Sequence, residues 1–532
     1  MNIKYSQHFN LRNPKTPQTE AAYGATLNNA GGYSFELDRW QKLDRFLILG
    51  TEGGTYYVTE RKLTQANAKN VQVCIQTDGI RTVKQIVTIS QSGRAPKNDP
   101  ALFALAMCAS LGNEITRNEA LKSLSLVART ATHLFVFAEY AHAFRGWGRG
   151  LKRSIGNWYS EKEPDFLLYQ IMKYQERNGW SHRDLLRLSH PKPVSSKHRA
   201  LFSWACSQGK KEKQEEAIQN FEQLQATHQL KQETSLRNAT ELISKYKLPR
   251  EVIPTNLLNK KEIWDALLRD MPITALIRNL GKMTKIGLLQ ELSKAEDFVI
   301  EKLTSRELLK KGRTHPLTIL TALMTYTKGN GFRGKLAWKP NGRISEALEQ
   351  AFYTCFEHVI PTHKRFMIGV DISASMFWGN LAGSPMTPGD AAAALSLVTK
   401  STEERCIIKA FSHEFIDLPI SKSMRLQEVI SLMRAHGFGR TDCSLPMVFA
   451  KENKLNVDAF LILTDNETWA GDIYPSEALR DYRASSGIDA KLIVCGMQAN
   501  AFSIANPNDR GMLDVVGFDT STPNIISDFI RD

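Results

Sequence analysis

The chain has no Cys-x-x-Cys pair and no apolar run long enough to cross a bilayer. Its seven cysteines stand far apart, at 74, 108, 206, 355, 406, 443 and 495. An odd, scattered set argues against a disulfide framework or a zinc ribbon and for reduced thiols in the cytoplasm. No apolar stretch approaches the roughly 18–20 residues that a membrane helix needs. The polar start, Met1-Asn-Ile-Lys-Tyr-Ser, lacks the apolar core of a signal peptide. Zinc-finger and RNP-type signatures are missing, as is any clear helix-turn-helix, which argues against direct readout of duplex DNA.

What is present is basic charge in one part of the chain. The 532 residues carry 69 Lys and Arg against 55 Asp and Glu, a net of +14. From residue 361 onward there are 16 basic and 21 acidic residues, a net of −5, so residues 1–360 hold 53 and 34, a net of +19. A polyanion partner is the natural inference for the first part. The length calls for more than one core.

Three segments follow from pattern. Residues 1–35 are polar, rich in Asn and Gly, and read as extended or loosely ordered. Residues 36–362 read as helix after helix, with apolar residues at three- and four-residue steps in 101–108, 119–130, 132–144, 164–178, 259–268, 286–303 and 316–326. Pro164 and Pro316 suit first turns, and Gly179 suits a stop. Residues 208–240, rich in Glu, Gln and Lys, read as a solvated helix or helical hairpin. Residues 363–532 alternate strand candidates (366–371, 406–411, 459–464 and 491–496) with helical stretches, the pattern of a doubly wound parallel sheet.

In an open sheet of that kind, ligands bind beyond the carboxyl ends of the strands. Three groups of oxygen donors fall there: Asp371, Ser373 and Ser375; Thr441 in a glycine-containing loop; and Asp465 after a third apolar strand. Taken alone, Asp371-x-Ser-x-Ser could be only a turn and a helix cap. Together the three groups supply two carboxylates and three hydroxyls, which suit a hard octahedral cation, Mg²⁺ or else Mn²⁺, with a position left open. No general base sits directly beside them; His413 and Glu414, after the 406–411 strand near the same rim, read as ordinary loop residues.

In the basic part, Lys173 and Arg177 are expected on one stripe of a helix over 164–178, with Gln170, opposite an apolar stripe of Phe166, Tyr169 and Met172. Cations one turn apart suit adjacent phosphates; a Lys173–Glu176 pair in a wet face is the plainer alternative. Arg145-Gly-Trp147-Gly-Arg149 and Phe332-Arg333-Gly-Lys335-Leu-Ala-Trp338 interleave cations, aromatics and glycine, a composition for single strands. The tryptophans could equally be packing helices.

Asp371-x-Ser373-x-Ser375 with Thr441 and Asp465 resembles the metal-ion-dependent adhesion site of von Willebrand factor A domains, whose open metal position takes a carboxylate from a protein partner. Gly50–Tyr57, Arg177–His182, Leu185–Pro191, Met271–Lys282, Gly331–Lys335, Gly439–Pro446 and Leu463–Glu467 are similar to the Ro autoantigen family over roughly residues 35–530. That resemblance implies a HEAT-like ring of helical repeats, the TROVE module, followed by the A domain. It implies a small noncoding Y RNA on the outer surface, at positions matched by Lys173, Arg177 and His190, and single-stranded 3′ ends of misfolded RNAs in the central hole. RNA quality control without catalysis is the implied role, and in a bacterial member the resemblance allows an exoribonuclease partner. Arg440 departs from the family, which usually has glycine before the threonine. The competing expectations are a metal-dependent protein-adhesion module without RNA and a divalent-metal nuclease.

Overall fold

Six consecutive buried residues, Phe366–Asp371, form the centre of a sheet because nothing in the run prefers water and both faces are covered. The computed structural model describes residues 15–50, 63, 68–207, 211–331, 335–356, 359–381, 385–436, 439–498, 500–519 and 521–531. Parts of two stretches singled out above, 51–57 and 332–334, residues 437–438 just before Gly439, and the first part of the 208–240 segment lie outside the described residues.

The strands, in chain order, are β1 (Ala25–Leu27), β2 (Tyr33–Glu36), β3 (Glu176–Arg177), β4 (Trp180–Ser181), β5 (Phe366–Asp371), β6 (Cys406–Phe411), β7 (Phe415–Asp417), β8 (Ala459–Thr464), β9 (Lys491–Gly496), β10 (Phe502–Ser503) and β11 (Met512–Val516). Six of them make a sheet in the order β11-β9-β8-β5-β6-β7. All its pairs are parallel except β6 with β7, a hairpin-like edge. β5 lies between β6 and β8, so the end of β5 and the end of β8 open on one rim. Helices Pro388–Thr402, Leu445–Glu452 and Pro475–Ser486 are among those that connect the strands.

The helical part is built from short helices packed mainly on neighbours in sequence. Asp99–Leu111 is its most enclosed element: every residue from Ala101 to Cys108 is buried, and it packs on Ala131–Arg145. A helix apolar all round belongs inside. The expected helix over 119–130 is broken at Ser123 into Glu114–Lys122 and Leu124–Val127. The expected 286–303 helix begins only at Lys294, after Gly287 and Leu292 take left-handed backbone conformations. The Glu, Gln and Lys-rich stretch contains helices Lys211–Asn220 and Glu222–Gln232.

The chain divides into two compact units: residues 1–70, 94–97 and 356–532, and residues 71–93 and 98–355. This differs from the segments drawn from composition, which group helix Arg39–Leu49 with the other helices and leave residues before 36 loosely ordered. Instead β2 pairs antiparallel with β10, and Arg45, 2 % exposed, forms a two-pronged ion pair with Asp514 of β11 at 2.8 and 3.0 Å. The physical reason is a buried guanidinium whose carboxylate partner lies at the other end of the sequence. Among the described residues no helix is long and apolar enough to cross a membrane.

Candidate metal centre and nucleic-acid interface

Asp371 ends β5, Asp465 directly follows β8, and Ser373 and Ser375 lie in the turn beyond Asp371. Asp371, Ser373, Ser375, Thr441 and Asp465 are all buried. The Ser373 amide donates to Asp371 Oδ1 at 2.8 Å, and the Thr464 hydroxyl donates to Asp371 Oδ2 at 2.7 Å. The two serine hydroxyls lie 3.0 Å apart. The Glu467 amide donates to Asp465 Oδ1 at 3.1 Å, while Asp465 Oδ2 is buried without a hydrogen-bond partner among the described residues. Thr441 is fixed through its backbone: its carbonyl accepts from the amides of Trp469 and Ala470 at 3.1 and 3.0 Å.

Burial first, and the neighbouring Asp465 second, push the Asp371 carboxyl up to about 7. Burial also raises Asp465. Two buried carboxylates side by side, one with an oxygen left without a hydrogen-bond partner among the described residues, form a site short of positive charge. The residues therefore fit a hard cation held by oxygen. Arg440 does not supply that charge from within: it is exposed and its guanidinium stacks 5.3 Å over the Trp469 ring.

The second candidate surface is in the helical unit. The helix expected over 164–178 stops at Lys173, and Arg177 stands in the β3–β4 hairpin opposite Trp180. Asn178 and Gly179 both have positive φ, 53° and 77°, as the two central residues of a type I′ turn require. The Asn-Gly pair is therefore a hairpin signal and not a helix stop. Nor are the stripes as expected. Gln170 is buried and accepts from the Ala131 amide at 2.8 Å; Leu167, Leu168, Ile171 and Met172 face the core, and Phe166 is exposed.

Lys173 is half-buried and donates to the Tyr169 hydroxyl at 2.8 Å, not to Glu176. Burial pulls its ammonium down, but the Tyr169 hydrogen bond and the nearby Tyr169, Tyr174 and Glu251 outweigh that and leave it above its ordinary value. His190 caps helix His182–Ser189 in a left-handed conformation, φ 46°, and is exposed. Arg145 and Arg149 are exposed on either side of Gly146, Trp147 and Gly148; Arg145 donates to the Ser110 carbonyl at 3.3 Å. Trp147, half-buried, lies 5.2 Å from Trp180 and 6.0 Å from His142. This aromatic cluster joins the Arg145–Arg149 turn to the Arg177 hairpin, a junction that sequence spacing does not reveal. Lys335 is exposed, but its neighbour Trp338 is a packing residue: it stacks on Tyr326 and closes over Gly281, where an added Cβ would lie 2.6 Å from the ring.

The fold, with oxygen donors gathered beyond the ends of β5 and β8, defines a von Willebrand factor A domain in one chain with a helical domain. The family model described as the TROVE domain matches residues 26–325, and that described as the Ro60 vWA domain matches residues 365–530. The chain belongs to the Ro60 family. It is similar to the RNA-binding protein RO60 of Caenorhabditis elegans, 36% identical over 584 aligned residues covering 95% of this chain and 90% of that protein. It is 38% identical over 520 residues to the RNA-binding protein RO60 of Deinococcus radiodurans, covering 97% of each. The crystal structure of the Deinococcus radiodurans RO (RSR) protein matches with a TM-score of 0.70 at 37% identity, covering 93% of this chain and 99% of that one.

Proposed function

We propose that the protein binds RNA through its helical unit and carries a divalent cation in its A domain as a docking point for an acidic protein group. The observation that carries the first part is the joined surface: the His142, Trp147 and Trp180 rings cluster, the exposed Arg145 and Arg149 flank Trp147 in the chain, and the exposed Arg177 pairs with Trp180 in the hairpin. Cations track phosphates, and aromatic faces stack bases without reading sequence. The names of the two relatives and the net of +19 over residues 1–360 support the same reading.

Lys173, Arg177 and His190 hold a small structured Y-type noncoding RNA, Arg145, Arg149 and Lys335 contact single-stranded RNA, and single-stranded 3′ ends of misfolded RNAs are a second class of ligand. The role is ribonucleoprotein assembly and RNA quality control in the cytoplasm, without catalysis, and an exoribonuclease is a partner that the A domain could dock. Asp371, Ser373, Ser375, Thr441 and Asp465 hold Mg²⁺ or Mn²⁺, whose chemistry is to accept a further oxygen ligand. The test is native purification followed by sequencing of the RNA that travels with the protein. Recovery of one abundant small RNA is expected; RNA-free protein from cells in which it is abundant would overturn the reading.

A further inference from the structure

The A-domain match begins at residue 365, yet the loops that bear Thr441 and Asp465 are bonded to residues near the start of the chain. Gln18 reaches both loops. Its side-chain amide donates to Asp442 Oδ1 at 2.6 Å and to the Ile473 carbonyl at 3.0 Å, and its own carbonyl oxygen accepts from the Thr468 hydroxyl. Asn29 takes hold of Glu467, two residues after Asp465: its backbone amide donates to Oε2 at 3.0 Å and its side-chain amide to Oε1 at 2.8 Å. Asn28 donates to the Thr468 carbonyl at 2.5 Å.

Gly32 shows how closely this strap lies on the loop. A Cβ there would stand 2.2 Å from the Thr468 carbonyl oxygen and 2.6 Å from the Trp469 Cα. Those are backbone atoms that cannot swing aside. On another flank, Arg45 donates to the carbonyls of Gln498 and Asn500, each at 3.3 Å, and to the Asn500 side chain. Asn500 in turn donates to the Asp465 carbonyl, and Gln498 to the Ser375 carbonyl at 3.2 Å.

The geometry points to residues 16–45 as positioning elements of the metal centre: the strap holds the Thr441 and Asp465 loops, and Arg45, through Asn500 and Gln498, holds Asp465 and Ser375. None of them is a ligand. A cation site built from three separate segments binds tightly only if their relative placement is set beforehand, and partners behind the ligands commonly set affinity. This inference rests on the reading that the centre takes a divalent cation.

The experiment is calorimetric titration of the full-length chain with Mn²⁺, run on the unaltered protein, on Gln18→Ala/Asn29→Ala and on Gly32→Ala. A thermal melt of each is recorded with EDTA and with Mn²⁺. The strap variants should bind Mn²⁺ about tenfold or more weakly, and the rise in melting temperature on adding Mn²⁺ should shrink. A purely structural role would lower the melting temperature equally in EDTA and in Mn²⁺ and leave the affinity alone. If Gln18→Ala/Asn29→Ala fails to fold, the single Asn29→Ala variant gives the same comparison. Equal Mn²⁺ affinity in all forms overturns the positioning role and leaves the metal reading standing. No Mn²⁺ binding even by the unaltered chain overturns both.

Discussion

Lys173 Nζ donates to the hydroxyl of Tyr169, four residues earlier on the same helix, at 2.8 Å, and lies 5.5 Å from the ring centre of Tyr174. The ammonium is thus held in one place by the Tyr169 hydroxyl beside the Tyr174 ring, and it is spared the loss of side-chain freedom that a loose lysine suffers on binding a phosphate. Replacing Lys173 and Arg177 together with Ala should weaken binding of a structured small RNA by tenfold or more, with the far-UV circular dichroism unchanged. The slope of log affinity against log salt should flatten by roughly one for each phosphate that a side chain no longer neutralises. Gel-shift titrations at several salt concentrations measure both.

The hairpin that carries Arg177 offers a test that removes no charge. Gly179 has φ 77°, a conformation in which a side chain costs about 1–2 kcal/mol. Gly179→Ala should therefore lower stability by about that amount and also weaken RNA binding, because Arg177 and Trp180 would shift together. A loss of stability with no change in RNA affinity would separate Arg177 from the interface.

Metal and RNA should be independent variables. Asp371→Ala should abolish any Mg²⁺- or Mn²⁺-dependent rise in melting temperature and leave RNA affinity unchanged, as should EDTA. The competing adhesion reading without RNA expects only metal-sensitive protein capture. Labelled single-stranded RNA incubated with the purified protein and Mg²⁺ should stay intact. Cleavage that the Asp371→Ala change abolishes would establish the nuclease reading instead.

Acid should loosen the helical unit. Burial, with Arg129 and Arg177 adding to it at His133, lowers the His133 and His182 imidazoles from 6.5 to about 4. In both, the folded value lies below the unfolded one, so the unfolded chain takes up the proton first as pH falls. Their contribution is complete above pH 6.5, declines as pH falls to about 4, and changes little below that. A tenfold difference in proton affinity between the folded and unfolded chain is worth about 1.4 kcal/mol, so the effect amounts to a few kcal/mol per group. Urea melts at pH 7 and pH 5 should show it, and His182→Phe should make the decline shallower.

The four central strands β5, β6, β8 and β9 are readable to the residue. β5 and β8, covered on both faces, are almost wholly apolar runs, while β6 mixes an exposed Ile407 with a buried Lys409 and stands out by its β-branched and aromatic content. The carboxylates and hydroxyls at their ends were readable for the same reason: the topology leaves few places where such residues can go. The surface around Arg177 was only half readable. Its residue types are evident in the sequence, but a helical period carried to Asn178, with Gly179 as its stop, misses the hairpin that an Asn-Gly pair makes. Gln170 is the reverse case: a polar residue expected beside the cations is a buried acceptor for the Ala131 amide. The strap was not readable at all. Gln18, Asn28 and Asn29 look like loop residues in any local window, and what orders them lies more than 400 positions away.

That separation bears on how the chain is made. Gln18 leaves the ribosome 424 residues before Asp442, and Thr16 461 residues before Glu477. At about 5–20 residues per second, the first segment waits about 20–90 s for the groups that will bond it. Residues 98–355 have all emerged in that time and can finish folding. The proposed cation centre is therefore completed late, and only a chain synthesised nearly to its end can present it.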